Sequence, residues 1–149
     1  MKKKILLFTL IMCFTSMFIV ISLFAGSTIK DVIKMEDKTY KEHTKGIVEF
    51  QHKKHAENRK LECGACHHDD KGKPLTLKAG DNVAQCITCH KIAGEKPKGQ
   101  DAPKLTPAEQ LKYHAEAMHK NCKTCHTEYN KKNNTKAAPT TCTGCHPKA

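Results

Sequence analysis

The chain has 149 residues, a formal net charge of +11 and 26 lysine and arginine residues against 15 aspartate and glutamate residues. Aromatic residues make up 5% of the chain and tryptophan is absent. This length and composition describe one small domain and exclude an ordinary side-chain core, because too few large apolar side chains are present to bury. The excess of basic over acidic residues does not indicate nucleic-acid binding, since no aromatic stacking residues are interleaved with the lysines.

The N-terminal segment has the form of an export signal. Three lysines follow the initial methionine, and an apolar run then extends from Ile5 to Ala25. Small residues at the end of the run suit cleavage, so we assign residues 1–26 to a signal peptide and residues 27–149 to the exported domain. The run also approaches the roughly 20 residues that span a bilayer, so an uncleaved membrane anchor is the alternative. Cys13 lies inside this run, and we assign it no function.

Few periodic elements follow the signal segment. Val32 to Met35 and Ile47 to Phe50 read as two short strands that can pair with each other. Thr106-Pro107-Ala108-Glu109 is a capping box with proline at the first helical position, which predicts a helix to about Lys120. We predict a mainly α-helical and irregular fold with one short N-terminal two-stranded β element and polar connections at residues 72–74, 94–103 and 130–139.

Eight of the nine cysteines fall into four copies of C-x-x-C-H. This spacing is the attachment sequence for c-type haem, in which two thiols hold the porphyrin edge and the histidine is the proximal ligand of the iron. Zinc knuckles or a disulfide framework could also use eight cysteines, but neither requires a histidine after every pair. We therefore predict four haems c, on the motifs Cys63-Gly-Ala-Cys66-His67, Cys86-Ile-Thr-Cys89-His90, Cys122-Lys-Thr-Cys125-His126 and Cys142-Thr-Gly-Cys145-His146.

Four haems would also supply the core that the side chains cannot. Large macrocycles tied covalently to the chain add buried apolar surface and act as staples in a small scaffold. We expect helices and loops that wrap the haems, and a haem-free chain that is largely unfolded. The surface lysines could steer an acidic redox partner, or they could simply keep the surface soluble.

Six further histidines are candidates for the second axial position on the four irons. Two imidazoles close an iron to substrates and suit electron transfer, whereas an open position would permit small-molecule chemistry. Met35 and Met118 are the only methionines of the predicted exported domain, so histidine pairs with low potentials are expected. The candidates are His43, His52, His55, His68, His114 and His119.

Position narrows the choice among these candidates. His68 directly follows the proximal His67, so the two imidazoles should bind neighbouring irons within roughly 17 Å of each other. His114 and His119 both fall in the helix predicted after Thr106, where five residues at 100° each place them about 140° apart. Helical geometry alone therefore leaves the choice between His114 and His119 open.

Two segments, Phe50-Gln51-His52-Lys53-Lys54-His55 and Cys63-Gly-Ala-Cys66-His67-His68, resemble the opening of class III multihaem cytochromes c, the cytochrome c3 type. The resemblance covers about residues 32–147. It implies that His52 binds the haem of the first motif, His68 that of the second and His55 that of the third.

The segment Met118-His119-Lys120-Asn121-Cys122 is similar to the family's approach to its third haem motif. This similarity implies that His119 binds the haem of the fourth motif, and it leaves His43 and His114 spare. One departure from the family is that many tetrahaem members have C-x4-C-H at the second and fourth sites, whereas all four motifs here have the shorter spacing.

The resemblance and the closed irons together imply a periplasmic, low-potential electron carrier of anaerobic respiration that is not an enzyme. The implied partners are redox proteins such as hydrogenases or membrane respiratory complexes. The alternatives are a membrane-anchored tetrahaem quinol dehydrogenase, if residues 1–26 are retained, and a haem reductase, if one iron is open.

Overall fold

The computed structural model describes residues 29–148. The predicted signal peptide or anchor at residues 1–26, with Cys13, lies outside the described residues. Within the described range no helix is long and apolar enough to cross a membrane. The elements are strands β1 (Val32–Lys34) and β2 (Glu49–Gln51), a π-helical turn (Lys54–Asn58), two 3-10 turns (Cys63–Ala65 and Cys86–Thr88), and helices α1 (Pro107–Gln110), α2 (His114–Lys132) and α3 (Cys142–Cys145).

Strands β1 and β2 form a two-stranded antiparallel sheet, which confirms the predicted pairing of two short strands. Ile33 lies opposite Phe50, and both side chains are half-buried on the same face of the sheet. A hydrogen bond from the Lys53 N–H to the Asp31 carbonyl (3.2 Å) continues the pairing past β2. The sheet therefore fixes the point from which the chain presents His52.

The helical region after Thr106 begins as predicted. Thr106 Oγ1 accepts a hydrogen bond from the Glu109 N–H (3.3 Å), and the Glu109 carboxylate accepts one from the Thr106 N–H (2.8 Å). The prediction of one continuous helix to about Lys120 is wrong, because α1 ends at Gln110 and α2 then runs from residue 114 to residue 132.

Long-range pairing with Ile92 causes the break between α1 and α2. The Ile92 N–H donates to the Lys112 carbonyl (3.0 Å), and the Ile92 carbonyl accepts from the His114 N–H (2.7 Å). A continuous helix would need these same backbone groups of residues 112 and 114 for its own hydrogen bonds. The chain therefore leaves the helix at residue 111 and resumes it in α2, which includes the third C-x-x-C-H motif.

Side-chain burial is slight in the described part of the chain, as the composition predicts. Ala117 on α2, 5% exposed, is its one buried hydrophobic residue, and none of its large side chains is fully buried. Val32, Val83 and Ile92 are each at least 40% exposed. Apolar burial of this extent does not offset the conformational entropy that a chain of this length loses on folding.

Candidate haem-binding site

Each C-x-x-C-H motif is built on a helical turn. The third motif lies inside α2. In the other motifs the histidine N–H donates to the carbonyl of the first cysteine, from His67 to Cys63 (2.9 Å), from His90 to Cys86 (2.9 Å) and from His146 to Cys142 (2.7 Å). Residues i, i+3 and i+4 of a helical turn share one face, so both thiols and the imidazole of a motif lie on the same side. This arrangement suits attachment and ligation of a single haem.

The motif cysteines are unpaired, and burial affects some of their thiols. All eight motif cysteines are free. Burial, with added repulsion from Cys66, Cys145 and Cys86, raises the pKa of Cys122 to about 11. Burial also raises the pKa of the Cys66 and Cys86 thiols.

Eight of the ten histidines come together as four pairs, each made of one motif histidine and one predicted distal histidine. A metal ion about 2.0 Å from each of two opposed imidazole nitrogens separates the ring centres by roughly 6 Å. The spacing of the pairs therefore fits an iron with two axial imidazoles. The ring centroids are 6.3 Å apart for His52 and His67, 5.9 Å for His68 and His90, 6.0 Å for His55 and His126, and 6.2 Å for His119 and His146.

Backbone carbonyls orient five of these eight imidazoles through Nδ1. A carbonyl oxygen only accepts hydrogen bonds, so Nδ1 carries the proton and Nε2 keeps its lone pair. This tautomer is the one that iron ligation through Nε2 requires. The bonds run from His55 to Gln51 O (2.8 Å), from His68 to Asp69 O (2.7 Å), from His90 to Leu111 O, from His126 to Pro139 O (2.7 Å) and from His146 to Gly46 O (2.9 Å).

The pair of the first motif is held by packing. The Nδ1 atom of His52 is buried and has no hydrogen-bond partner among the described residues. Burial, with the nearby charges of His52 and His68, lowers the pKa of His67. The Phe50 ring lies beside this pair, with its centroid 5.7 Å from that of His52 and 4.8 Å from that of His55. Phe50 thus packs against the predicted distal histidines of both the first and the third motif.

A tight loop holds His68 after the first motif. The Asp69 carboxylate accepts hydrogen bonds from the N–H groups of Lys71 (2.9 Å) and Lys73 (2.8 Å). The Asp69 N–H in turn donates to the Lys73 carbonyl (2.9 Å). The loop closes on itself in this way, and it fixes the Asp69 carbonyl that accepts from His68 Nδ1.

Asn130 on α2 supports the histidine of the third motif. Its side-chain amide donates to the Ala138 carbonyl (2.8 Å), and its side-chain oxygen accepts from the Ala138 N–H (3.0 Å). The next residue, Pro139, provides the carbonyl that accepts from His126 Nδ1. Asn130, one helical turn after His126, therefore holds the Pro139 carbonyl in place.

A close backbone approach supports the histidine of the fourth motif. A Cβ atom added to Gly46 would lie 2.1 Å from the Pro147 carbonyl oxygen, a distance that no side chain tolerates. Glycine lets residue 46 lie directly against the chain beside His146, whose Nδ1 donates to the Gly46 carbonyl.

Sequence reasoning missed the contact of Arg59, the single arginine of the chain, with Tyr129. The guanidinium donates to the Tyr129 hydroxyl (3.3 Å) and lies 5.7 Å from the ring centroid. The contact ties the segment after His55 to α2 just beyond His126. The lone arginine among so many lysines was the only signal available, because arginine stacks on aromatic rings better than lysine does.

His43 and His114 lie outside the four pairs, in a cluster around Tyr40. The Tyr40 hydroxyl is hydrogen-bonded to His114 Nδ1 (2.8 Å), and the His43 ring stacks on the Tyr40 ring with centroids 5.3 Å apart. Burial lowers the pKa of His114, and the negative charge of Asp37 acts in the opposite direction. Neither histidine contacts a motif histidine through its ring.

The chain is similar in sequence to known cytochromes. The family model described as the class III cytochrome C family matches residues 28–146. A cytochrome c3 of Desulfovibrio desulfuricans is 32% identical over 105 residues, which cover 70% of this chain and 82% of that protein. A cytochrome c3 of Desulfuromonas acetoxidans is 43% identical over 61 residues, which cover 41% of this chain and 78% of that protein. No solved structure gave a significant match.

Proposed function

This chain belongs to the class III cytochrome c family, and from that premise we propose that it is an exported electron carrier with four haems c, each closed by two histidines. Proteins of this family bind haem c, and the cysteines here fit its attachment motif. The observation that carries the proposal is the set of four imidazole pairs with ring centroids 5.9 to 6.3 Å apart.

The ligand assignment follows these pairs. When bound, the haems supply reversible one-electron chemistry, while the chain holds their edges through thioethers and their irons through imidazoles. The first haem takes Cys63, Cys66, His67 and His52; the second takes Cys86, Cys89, His90 and His68; the third takes Cys122, Cys125, His126 and His55; the fourth takes Cys142, Cys145, His146 and His119.

Two imidazoles on every iron favour a carrier over an enzyme. With both axial positions filled, no iron can bind a substrate, so the protein passes electrons without making or breaking substrate bonds. Because His67 and His68 are adjacent in the chain, the first two haems lie close enough to exchange electrons. Phe50 contacts the rings of both His52 and His55, which are the proposed distal ligands of the first and the third haem.

Export and partner choice are parts of the same proposal. Residues 1–26 act as a cleaved signal peptide, and residues 27–149 form the periplasmic domain that wraps the haems. Redox proteins such as hydrogenases or membrane respiratory complexes exchange electrons with it. Cleavage removes Lys2, Lys3 and Lys4, so the formal charge falls from +11 for the full chain to +8 for the mature domain. This positive charge supports an acidic partner surface, because charges of opposite sign speed the association of two proteins.

Haem content and spin state test the proposal. The purified protein should contain four haems per chain by haem assay and mass spectrometry. Its ferric electron paramagnetic resonance spectrum should be entirely low-spin, and the reduced protein should not bind carbon monoxide at neutral pH. A high-spin fraction together with carbon monoxide binding would show an open iron and would support a reductase instead.

N-terminal sequencing of the same preparation tests export. A mature protein that begins near residue 27 supports the periplasmic carrier. A protein that retains Met1 and partitions with membranes would instead support the anchored quinol dehydrogenase.

A further inference from the structure

The four imidazole pairs differ in the number of Nδ1–H groups that they donate to backbone carbonyls. The pairs of the second and third motifs donate two each, through His68 with His90 and through His55 with His126. The pair of the fourth motif donates one, from His146 to Gly46. The pair of the first motif donates none to a described residue, and its His52 Nδ1 is buried without a partner.

Water does not replace the missing carbonyl acceptors equally in all pairs. His119, in the pair of the fourth motif, is an exposed residue, so water has access to its imidazole. The Nδ1 atom of His52 is buried away from solvent and cannot donate to water. The pairs can therefore be ordered by the number of hydrogen bonds from Nδ1–H to backbone carbonyls. The first-motif pair has none, the fourth-motif pair has one, and the second-motif and third-motif pairs have two each.

A hydrogen bond from Nδ1–H changes what the imidazole gives to a metal. As the carbonyl draws the proton, the ring becomes more basic and Nε2 becomes a stronger donor. A stronger donor stabilises the ferric iron more than the ferrous iron, which lowers the reduction potential. A buried Nδ1–H without an acceptor has the opposite effect, since it leaves the ring a weaker donor.

We infer that the carbonyl acceptors at Nδ1 set the order in which the haems take electrons: the first-motif haem first, the fourth-motif haem next, and the second-motif and third-motif haems last. This inference rests on the proposed axial ligands. It makes Gln51, Asp69, Leu111, Pro139 and Gly46 positioning residues through their backbone carbonyls, a role that no side-chain pattern reveals.

Surface charge also affects the potentials, but the two effects can be separated. The charges near the haem sites are largely on exposed lysines and acids, and salt screens such charges over about 3 Å at 1 M ionic strength. A hydrogen bond between an imidazole and a backbone carbonyl is internal and is not screened. The proposed order should therefore be observed at high salt, where the contribution of the surface charges is screened.

Stepwise reduction of the intact four-haem protein tests the order. Dithionite supplies one electron for each ferric haem that becomes ferrous, and the Nδ1 protons stay on the imidazoles. Proton NMR of the haem methyl groups, assigned through contacts with each motif, gives the reduced fraction of every haem. We expect the ferrous-to-ferric ratio of the first-motif haem to exceed that of the second and third by roughly tenfold, which corresponds to 59 mV for a one-electron couple.

Reduction of the second-motif or third-motif haem before the first at high salt would overturn the inference. The spectrum of the ferric protein separates this result from failure of the proposed function. If all four haems are low-spin and the order is wrong, the ligand assignment stands and the inference fails. If a haem is high-spin, both fail at that site.

The variant Gly46→Ala tests the cause. Its added Cβ forces residue 46 away from Pro147 and moves the carbonyl away from His146 Nδ1. We expect the slowly exchanging Nδ1–H signal of His146 to disappear and the fourth-motif haem to become easier to reduce than in the parent, with the other three unchanged. Thr44→Ala is the matched control, because Thr44 is exposed two residues before Gly46 and its side chain makes no hydrogen bond to a described residue. Loss of the signal with no rise in potential would overturn the inference.

Discussion

His119 and His114 lie five residues apart on α2, but their rings have different partners. The His119 ring is 6.2 Å from that of His146, whereas His114 is hydrogen-bonded to Tyr40. Replacing His119 with alanine should leave the fourth-motif iron with one imidazole, because no other described histidine is paired with His146. We expect one high-spin ferric haem per chain by electron paramagnetic resonance, and carbon monoxide binding to one haem of the reduced protein.

The matched control is His114→Ala, which removes an imidazole from the same helix but from outside the four pairs. All four haems should stay low-spin in this variant, and the haem content should stay at four per chain. A high-spin haem in the His114 variant and none in the His119 variant would reverse the assignment.

At the scale of single residues, the candidate haem-binding residues were easier to predict than the contacts that orient them. The C-x-x-C-H spacing predicts eight attachment cysteines and four proximal histidines, because that pattern has a specific chemical use. The supporting contacts were not predictable, because their acceptors are backbone carbonyls, which every residue carries. Gly46 is an example, since the reason for glycine there is visible only in the structure, where an added Cβ atom would lie 2.1 Å from the Pro147 carbonyl oxygen.

Among the connecting elements, the segment after α2 depends on Asn130. Its two hydrogen bonds to Ala138 hold the Pro139 carbonyl against His126. Asn130→Ala should remove both and lower the free energy of unfolding by about 2 kcal/mol, since each typically contributes about 1 kcal/mol. Thermal unfolding followed by circular dichroism measures the loss. The Nδ1–H signal of His126 in the reduced protein should exchange faster with solvent.

Asn133→Ala is the control for this prediction. Asn133 follows the same helix, but its side chain donates only to the Tyr129 carbonyl within that helix (2.8 Å). We expect a smaller loss of stability and no change at His126. Equal effects of the two substitutions would show that Asn130 acts only as a helix-end residue.

The helices show where sequence patterns stop being informative. The capping box at Thr106 was predictable because it is local, with both partners within three residues. The break at residues 111–113 was not, because it depends on Ile92, about 20 residues away. The extension of α2 to Lys132 was also missed, since that part of the helix is rich in lysine and asparagine and has no apolar stripe to reveal it.

On the scale of the whole molecule, contacts between distant parts of the chain gather at the histidine sites. His146 reaches the carbonyl of Gly46 across 100 residues, and Arg59 reaches Tyr129 across 70. In the described part of the chain these contacts are polar, and Ala117 is its one buried hydrophobic residue. Polar contacts of this kind orient groups and contribute only about 1 kcal/mol each, so we expect the haems to provide most of the buried apolar surface.

Haem removal should therefore unfold the domain. The full chain, produced in a host that lacks the c-haem attachment machinery, should show a circular dichroism spectrum with little helix and no cooperative thermal transition. The haem-bearing protein should melt cooperatively under the same conditions, because the thioethers and axial imidazoles tie each haem to distant parts of the chain. A sigmoidal transition in the haem-free chain would contradict this prediction. It would mean that the sheet and α2 form a stable unit before any haem is attached.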